Sequence, residues 1–150
     1  MEERALPGSG RLFSTRRGQL SLFTTGPMLV VEFADFGEGD FATPIMAAFD
    51  EILKAGQKAE IFFAMGKMDN YDSALRTKLT SHFAGRRSDI ASFHVFAKSR
   101  LVTMGVSVAN LALGRLITVH ANHSSFVKAL EATARRHRAV GISGTLLSAS

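Results

Sequence analysis

Five histidines, an Asp72-Ser73 pair and a serine flanked by two cations, Lys98-Ser99-Arg100, are the side chains of this 150-residue chain whose types could do chemistry. Imidazole and carboxylate together suit zinc, and His120 and His123 with Asp69 or Asp72 would supply such a set. Their spacing crosses a strand end and a helix start, so the rings need not converge, and no metal is expected. His82 and His94 stand alone on a predicted helix and strand, and His137 falls in a basic helix terminus. None is paired in sequence with a nucleophile, although members of a Ser-His-Asp triad can lie far apart in a chain. There is no Gly-x-Ser-x-Gly elbow, no Gly-x-x-x-x-Gly-Lys phosphate loop and no dinucleotide fingerprint. The absence of cysteine removes disulfides, thiolate nucleophiles and cysteine-ligated metals. The chain reads as a non-enzyme with no cofactor.

The elements that would position these residues alternate regularly. With 46% hydrophobic residues the chain can bury a core as one domain, expected over 11–138 between a flexible leader at 1–10 and a tail at 139–150. Residues 11–16 (RLFSTR), 19–25 (QLSLFTT) and 28–33 (MLVVEF) have the β-branched and aromatic look of strands separated by turn residues, an antiparallel meander. A polar loop at 35–40 precedes a helix capped by Asp40 or Thr43, with Pro44 in its first turn and Phe41, Ile45, Phe49 and Leu53 at four-residue spacing. Residues 59–64 read as a strand. Asp69 or Asn70 then caps a helix carrying Tyr71, Leu75, Leu79 and Phe83. Residues 93–97 read as a strand and 116–120 as another.

Between those two strands lies the uncharged stretch 101–114, LVTMGVSVANLALG, capped by Ser99 and closed by Gly114. It is shorter than the ~18 apolar residues of a membrane span and carries Gly105, Ser107 and Asn110, so it reads as a buried core helix rather than a transmembrane segment. Asn122 or Ser124 opens a last helix with Phe126, Val127, Leu130 and Ala134 inward and basic residues at its C-terminal end. The whole is an α/β fold: a β-meander followed by alternating helices and mostly parallel strands, with the helices packed on a mixed sheet.

Parallel βα units bring every helix N-terminus to one edge of the sheet, where ligands collect. That edge gathers Asp40, Asp69, Asn70, Tyr71, Lys98, Ser99, Arg100, Asn122 and His123 as the candidate ligand- or partner-binding rim. Lys98 and Arg100 beside the Ser99 cap could hold a phosphate or carboxylate. Met46, Met65, Met68 and Met104, with many phenylalanines, could instead line an adaptable pocket for an acyl chain, although such stripes are commonly core.

Charge is unevenly distributed. Residues 1–75 hold 7 basic and 11 acidic side chains and residues 76–150 hold 11 and 2, so the halves carry −4 and +9. The basic half favours acidic partners, unless the two halves interleave and neutralise each other. No aromatic-interleaved basic motif or zinc-finger spacing points to specific nucleic-acid binding. The N-terminus begins acidic and lacks the basic start and apolar core of a secretion signal, so a cytoplasmic location is expected.

The order of elements and the run SFHVFAKSRLVTMGVSVANL, extended to Val119 and followed by the helix at 126–130, resemble the STAS-like fold in its SpoIIAA-like branch. That branch is related to bacterial anti-anti-sigma regulators and shares features with lipid-carrying CRAL-TRIO domains. The resemblance covers about residues 11–136 and rests on apolar positions and turns. It implies a non-catalytic regulatory or protein-binding module in bacterial signalling, with a homodimer possible and a lipid or small anionic ligand as the alternative. Those regulators carry a phosphorylatable serine after an aspartate near a helix start, which points to Ser73. Here Ala74 and Leu75 stand where the relatives have a small hydroxyl residue and glycine or alanine, so Ser73 also reads as a plain first-turn helix residue.

Overall fold

The computed structural model of the chain describes residues 1–8 and 10–138. Among the described residues seven strands form one mixed sheet in chain order: β1 (Glu2–Ala5), β2 (Arg11–Ser14), β3 (Gly18–Thr25), β4 (Met28–Gly37), β5 (Ala59–Tyr71), β6 (Ile90–Ala97) and β7 (Ile117–His120). The first four pair antiparallel and β4 to β7 run parallel. The β3–β4 hairpin closes on Gly26-Pro27, with Thr25 opposite Met28. Gly26 has φ +55°. A first turn residue of positive φ followed by proline matches the right-handed twist of the strands it joins.

Four α-helices complete the described residues: α1 (Ala42–Lys54), α2 (Ser73–Ala84), α3 (Arg100–Ala112) and α4 (His123–Arg136). Each crossover steps to the next strand in the same direction, so crossovers of one hand lay their helices on one face. Phe41, Phe49, Leu75, Phe83, Val102 and Val106 accordingly share one core with Phe33, Ile61, Phe63 and Phe93 of the sheet. The helix after β7 needs no crossover and takes the other face, where Phe126, Leu130 and Ala134 meet Met28, Val30, Phe62, Ala64 and Phe96. Phe62 and Phe63 thus serve different cores, as the period of two in a strand requires.

Several boundaries differ from the sequence reading. Residues 2–5, expected in a leader, form an exposed edge strand paired with β2. β4 runs on through Asp35 and Phe36, expected as loop, by bulging: its register against β5 shifts twice, and Asp35 has φ +66°. β5 likewise continues to Tyr71, opposite Gly37. Tyr71 is therefore a strand residue, and Asp72, not Asp69 or Asn70, precedes α2. Neither Asp40 nor Thr43 caps α1, because a 3-10 turn at Gly39–Phe41 leads directly into it with Phe41 already helical.

The larger correction concerns α3. Only Val102, Gly105 and Val106 of this helix are fully buried, whereas Leu101, Met104, Val108 and Leu111 are 54 to 65% exposed. The helix covers the β5–β7 part of the sheet and leaves its outer face to solvent. Among the described residues no helix is long and apolar enough to cross a membrane. The expected tail, 139–150, lies outside the described residues.

Candidate functional site

The ends of β4 to β7 deliver four helix starts to one edge of the sheet, and the polar residues there fasten backbone. Asp72 Oδ2 accepts the Gly39 N–H at 3.1 Å, tying the start of α2 to the turn before α1, and Arg17 reaches the same oxygen at 3.9 Å. Asn70 Oδ1 accepts the Tyr71 N–H at 2.8 Å. Ser99 caps α3 by accepting the Val102 N–H at 3.5 Å, while its hydroxyl donates to the Asp69 carbonyl at 2.8 Å. Asn122, rather than Ser124, caps α4 through the Ser125 N–H at 2.8 Å. His123 meets the Phe96 ring edge-on, centroids 5.6 Å apart, and buries Nε2 without a hydrogen-bond partner among the described residues.

Asp40, Lys98 and Arg100 are exposed and make no ion pair among the described residues. Asp69 meets Ser99, and Asp72 meets Gly39, but the rim side chains do not converge on a common point. Ser73 is the exposed first residue of α2. Among the described residues no group of three histidine or acidic side chains could hold a metal.

Tyr71 points inward. A Cβ on Gly105 would sit 2.1 Å from its hydroxyl, so this glycine is the seat on which the phenol rests between α2 and α3. Arg76 of α2 donates to the same hydroxyl at 3.1 Å and has no carboxylate partner among the described residues. Beneath lies a cavity of about 60 Å³ walled by Met65, Met68, Phe83, Val102, Val106 and Leu113. Of the methionines proposed to line such a space, Met65 and Met68 do so. Met104 is exposed on the outside of α3, and Met46 packs against the core elsewhere.

On an ideal helix at about 100° per residue, Leu101, Met104, Val108 and Leu111 occupy one arc beside Gly105, on the side away from Asn110. Asn110 faces β7, where it bonds the Ile117 backbone. The apolar stripe therefore borders the α2/α3 groove. Lys98, Arg100 and Arg115 flank it, and no acidic residue occurs between Asp89 and Glu131. Val119, on the same face of edge strand β7, is 47% exposed.

On the α4 face the sheet carries a line of polar side chains that sequence spacing did not expose. His94 Nδ1 lies 2.9 Å from His120 Nε2, and His120 Nδ1 is hydrogen-bonded to Ser125 Oγ of α4. Burial pushes the His94 imidazole below its ordinary value of 6.5, helped by neighbouring His120, and burial does the same to His120. Further along, Glu60, 4% exposed, accepts from Ser92 Oγ at 3.0 Å and Arg136 at 2.6 Å and is hydrogen-bonded to His137. Burial pushes the Glu60 carboxyl up, but bonds from His137, Ser92 and Arg136 outweigh it and hold the group below its ordinary range. His82, expected to stand alone, bonds Asp50 of α1 at 2.7 Å.

The only advance sign of the histidine line was alternation: Ser92, His94 and Phe96 share one face of β6. No family model matches the chain, and no curated protein matches it.

Proposed function

We propose that this chain is a non-catalytic, STAS-like regulatory module of bacterial cytoplasmic signalling that acts by binding another protein through the outer face of α3. The observation that carries this is the stripe Leu101, Met104, Val108 and Leu111, each more than half exposed on a helix with no charge after Arg100. Contiguous apolar surface of this kind marks an interaction site when polar residues rim it. The flanking Lys98, Arg100 and Arg115 select a partner with apolar side chains amid carboxylates, as when an amphipathic helix lies in a groove. The order of meander, helices and parallel strands supports the resemblance to the regulators. So do Asn70, Asp72, Ser99 and Asn122, whose side chains fasten backbone at the helix starts.

The test is a photo-crosslinking amino acid placed at Met104 or Val108, with Thr77 on α2 as control, in cells. Adducts with one protein species at the stripe positions, lost with Val108→Glu and weakened by salt, support the reading. Equal adducts at Thr77, or none, overturn it. A phosphoswitch at Ser73 would alter that partner's affinity in Ser73→Glu but not in Ser73→Ala.

A second reading rests on the cavity under α3. Its walls are apolar and Arg76, bonded to the Tyr71 hydroxyl and without a carboxylate partner among the described residues, stands at its edge, which suits a short-chain aliphatic carboxylate. About 60 Å³ is well below the ~150 Å³ of a cavity that holds benzene, so a tail of a few carbons fits and a long acyl chain does not. Titration with butyrate should shift the methyl resonances of Met65 and Met68 in the parent and not in Arg76→Gln.

A further inference from the structure

We propose that Ser125 is an activated nucleophile that accepts an acyl group from a small activated ester, giving a covalent modification site on a module otherwise built for binding. Three side chains from three elements form a continuous chain: Ser125 Oγ of α4 to His120 Nδ1 at the end of β7, and His120 Nε2 to His94 Nδ1 of β6 at 2.9 Å. A hydroxyl bonded to an imidazole that is itself oriented by a third group is the arrangement that activates a serine.

The surroundings fix each ring. His94 stacks on Phe62 with centroids 4.6 Å apart and planes 5° off parallel, and Phe126 meets His120 edge-on at 5.8 Å. The chain of bonds has one useful polarity. For Nδ1 of His120 to accept the serine proton, its Nε2 must carry hydrogen and donate to His94 Nδ1, which places the His94 proton on Nε2. Both imidazoles are held below their ordinary pKa by burial, so the base is unprotonated at neutral pH. His94 then accepts from the imidazolium that forms on His120, the task a carboxylate performs in the commoner triad.

Ser125 remains half-buried rather than sealed. Its own N–H is taken by Asn122, whereas the N–H groups of His123 and Ser124 stand in the first turn of α4, where a helix leaves its donors without an intrahelical acceptor. Two free donors of the same helix turn are thus available to a developing oxyanion. In the step, Oγ bonds to the carbonyl carbon as its proton passes to His120 Nδ1. The carbon–oxygen bond to the leaving alcohol then breaks, the alcohol takes that proton, and Ser125 keeps the acyl group as an ester.

The experiment uses p-nitrophenyl acetate and a fluorophosphonate probe on the full chain. One nitrophenolate should be released per chain in a burst. The phosphonyl label, formed with loss of fluoride, should map by fragment-ion mass spectrometry to Ser125 and not Ser124. Ser125→Ala should abolish both signals. His120→Gln should slow labelling about 100-fold or more, the usual contribution of a positioned base. His94→Gln, a positioning change, should slow it less and move the pH at which labelling rises. Where a histidine variant fails to fold, the parent pH profile serves instead: labelling must rise with pH through the imidazole range and then level off. No burst, a label shared equally with Ser124, or a rate indifferent to pH and to His120→Gln overturns the proposal.

Discussion

Asn110 of α3 occupies both backbone hydrogen-bonding groups of Ile117, accepting its N–H at 2.8 Å and donating to its carbonyl at 3.1 Å. Ile117 opens β7, the edge strand of the parallel half of the sheet. An edge strand offers unpaired backbone to other chains, and proteins blunt such edges. Here one amide side chain does so from the neighbouring helix. Asn110→Val should cost about 1–3 kcal/mol, the loss of two partly buried hydrogen bonds with the backbone groups left unpaired. Urea unfolding checks the cost. Size-exclusion chromatography should show self-association rising in the variant, since the strand start becomes free to pair.

Gly105 and Tyr71 form the second pair. In a helix interior Gly→Ala ordinarily stabilises by ~1 kcal/mol. Gly105→Ala should instead destabilise, because the new methyl would sit 2.1 Å from the phenol oxygen and 2.7 Å from the ring carbon bearing it. Tyr71→Ala empties the space, so in that background Gly105→Ala should recover its helix-forming gain. A double-mutant cycle by thermal or urea unfolding measures this as a coupling of opposite sign to the single effect. Additive effects would show that Tyr71 swings aside freely.

These pairs mark what was and was not legible in the sequence. The four-residue spacing in Phe41, Ile45 and Phe49 identified the buried face of α1, because a helix packed on one side repeats its environment each turn. The same spacing misled at Tyr71. It falls four residues before Leu75, yet the chain there is strand, held by pairing with bulged β4 that no local pattern reports. The α/β order was readable because strand and helix periods alternate cleanly. The exposure of Leu101, Met104, Val108 and Leu111 was not, since an apolar residue leaves the same mark in sequence whether it faces a sheet or a solvent-exposed groove. The histidine line was hidden for another reason: His94 and His120 are 26 residues apart and meet only because β6 and β7 are neighbours.

The two faces of α3 should respond oppositely to mutation. Val102, 1% exposed, belongs to the core, and Val102→Ala should cost roughly 2 kcal/mol through lost methyl groups and the cavity left behind. Met104→Gln and Leu111→Gln alter exposed positions and should stay within about 0.5 kcal/mol of the parent. Both should reduce binding of a hydrophobic fluorescent dye. A large stability loss from the exposed pair would mean that the stripe is covered in the folded protein.

Acidification should lower the protein's stability in two steps, one for each polar cluster on the α4 face. His94 and His120 are held below the ordinary 6.5 in the fold, so between that value and their folded values the unfolded chain binds more protons. Stability rises with pH wherever the unfolded state binds more. The histidine contribution is therefore complete above pH 6.5 and is lost on falling through the folded values. Glu60 is also depressed, below 4.5, and its contribution follows the same sign in a lower window, present above 4.5 and lost beneath it. Urea unfolding across this range should give a curve with two descending limbs. His120→Asn should flatten the upper limb. Glu60→Gln should flatten the lower one and deepen the upper, because the Glu60 charge is what partly restores the His94 pKa. A curve flat down to the carboxylate range would show that neither histidine is buried as its contacts with Phe62 and Phe126 require.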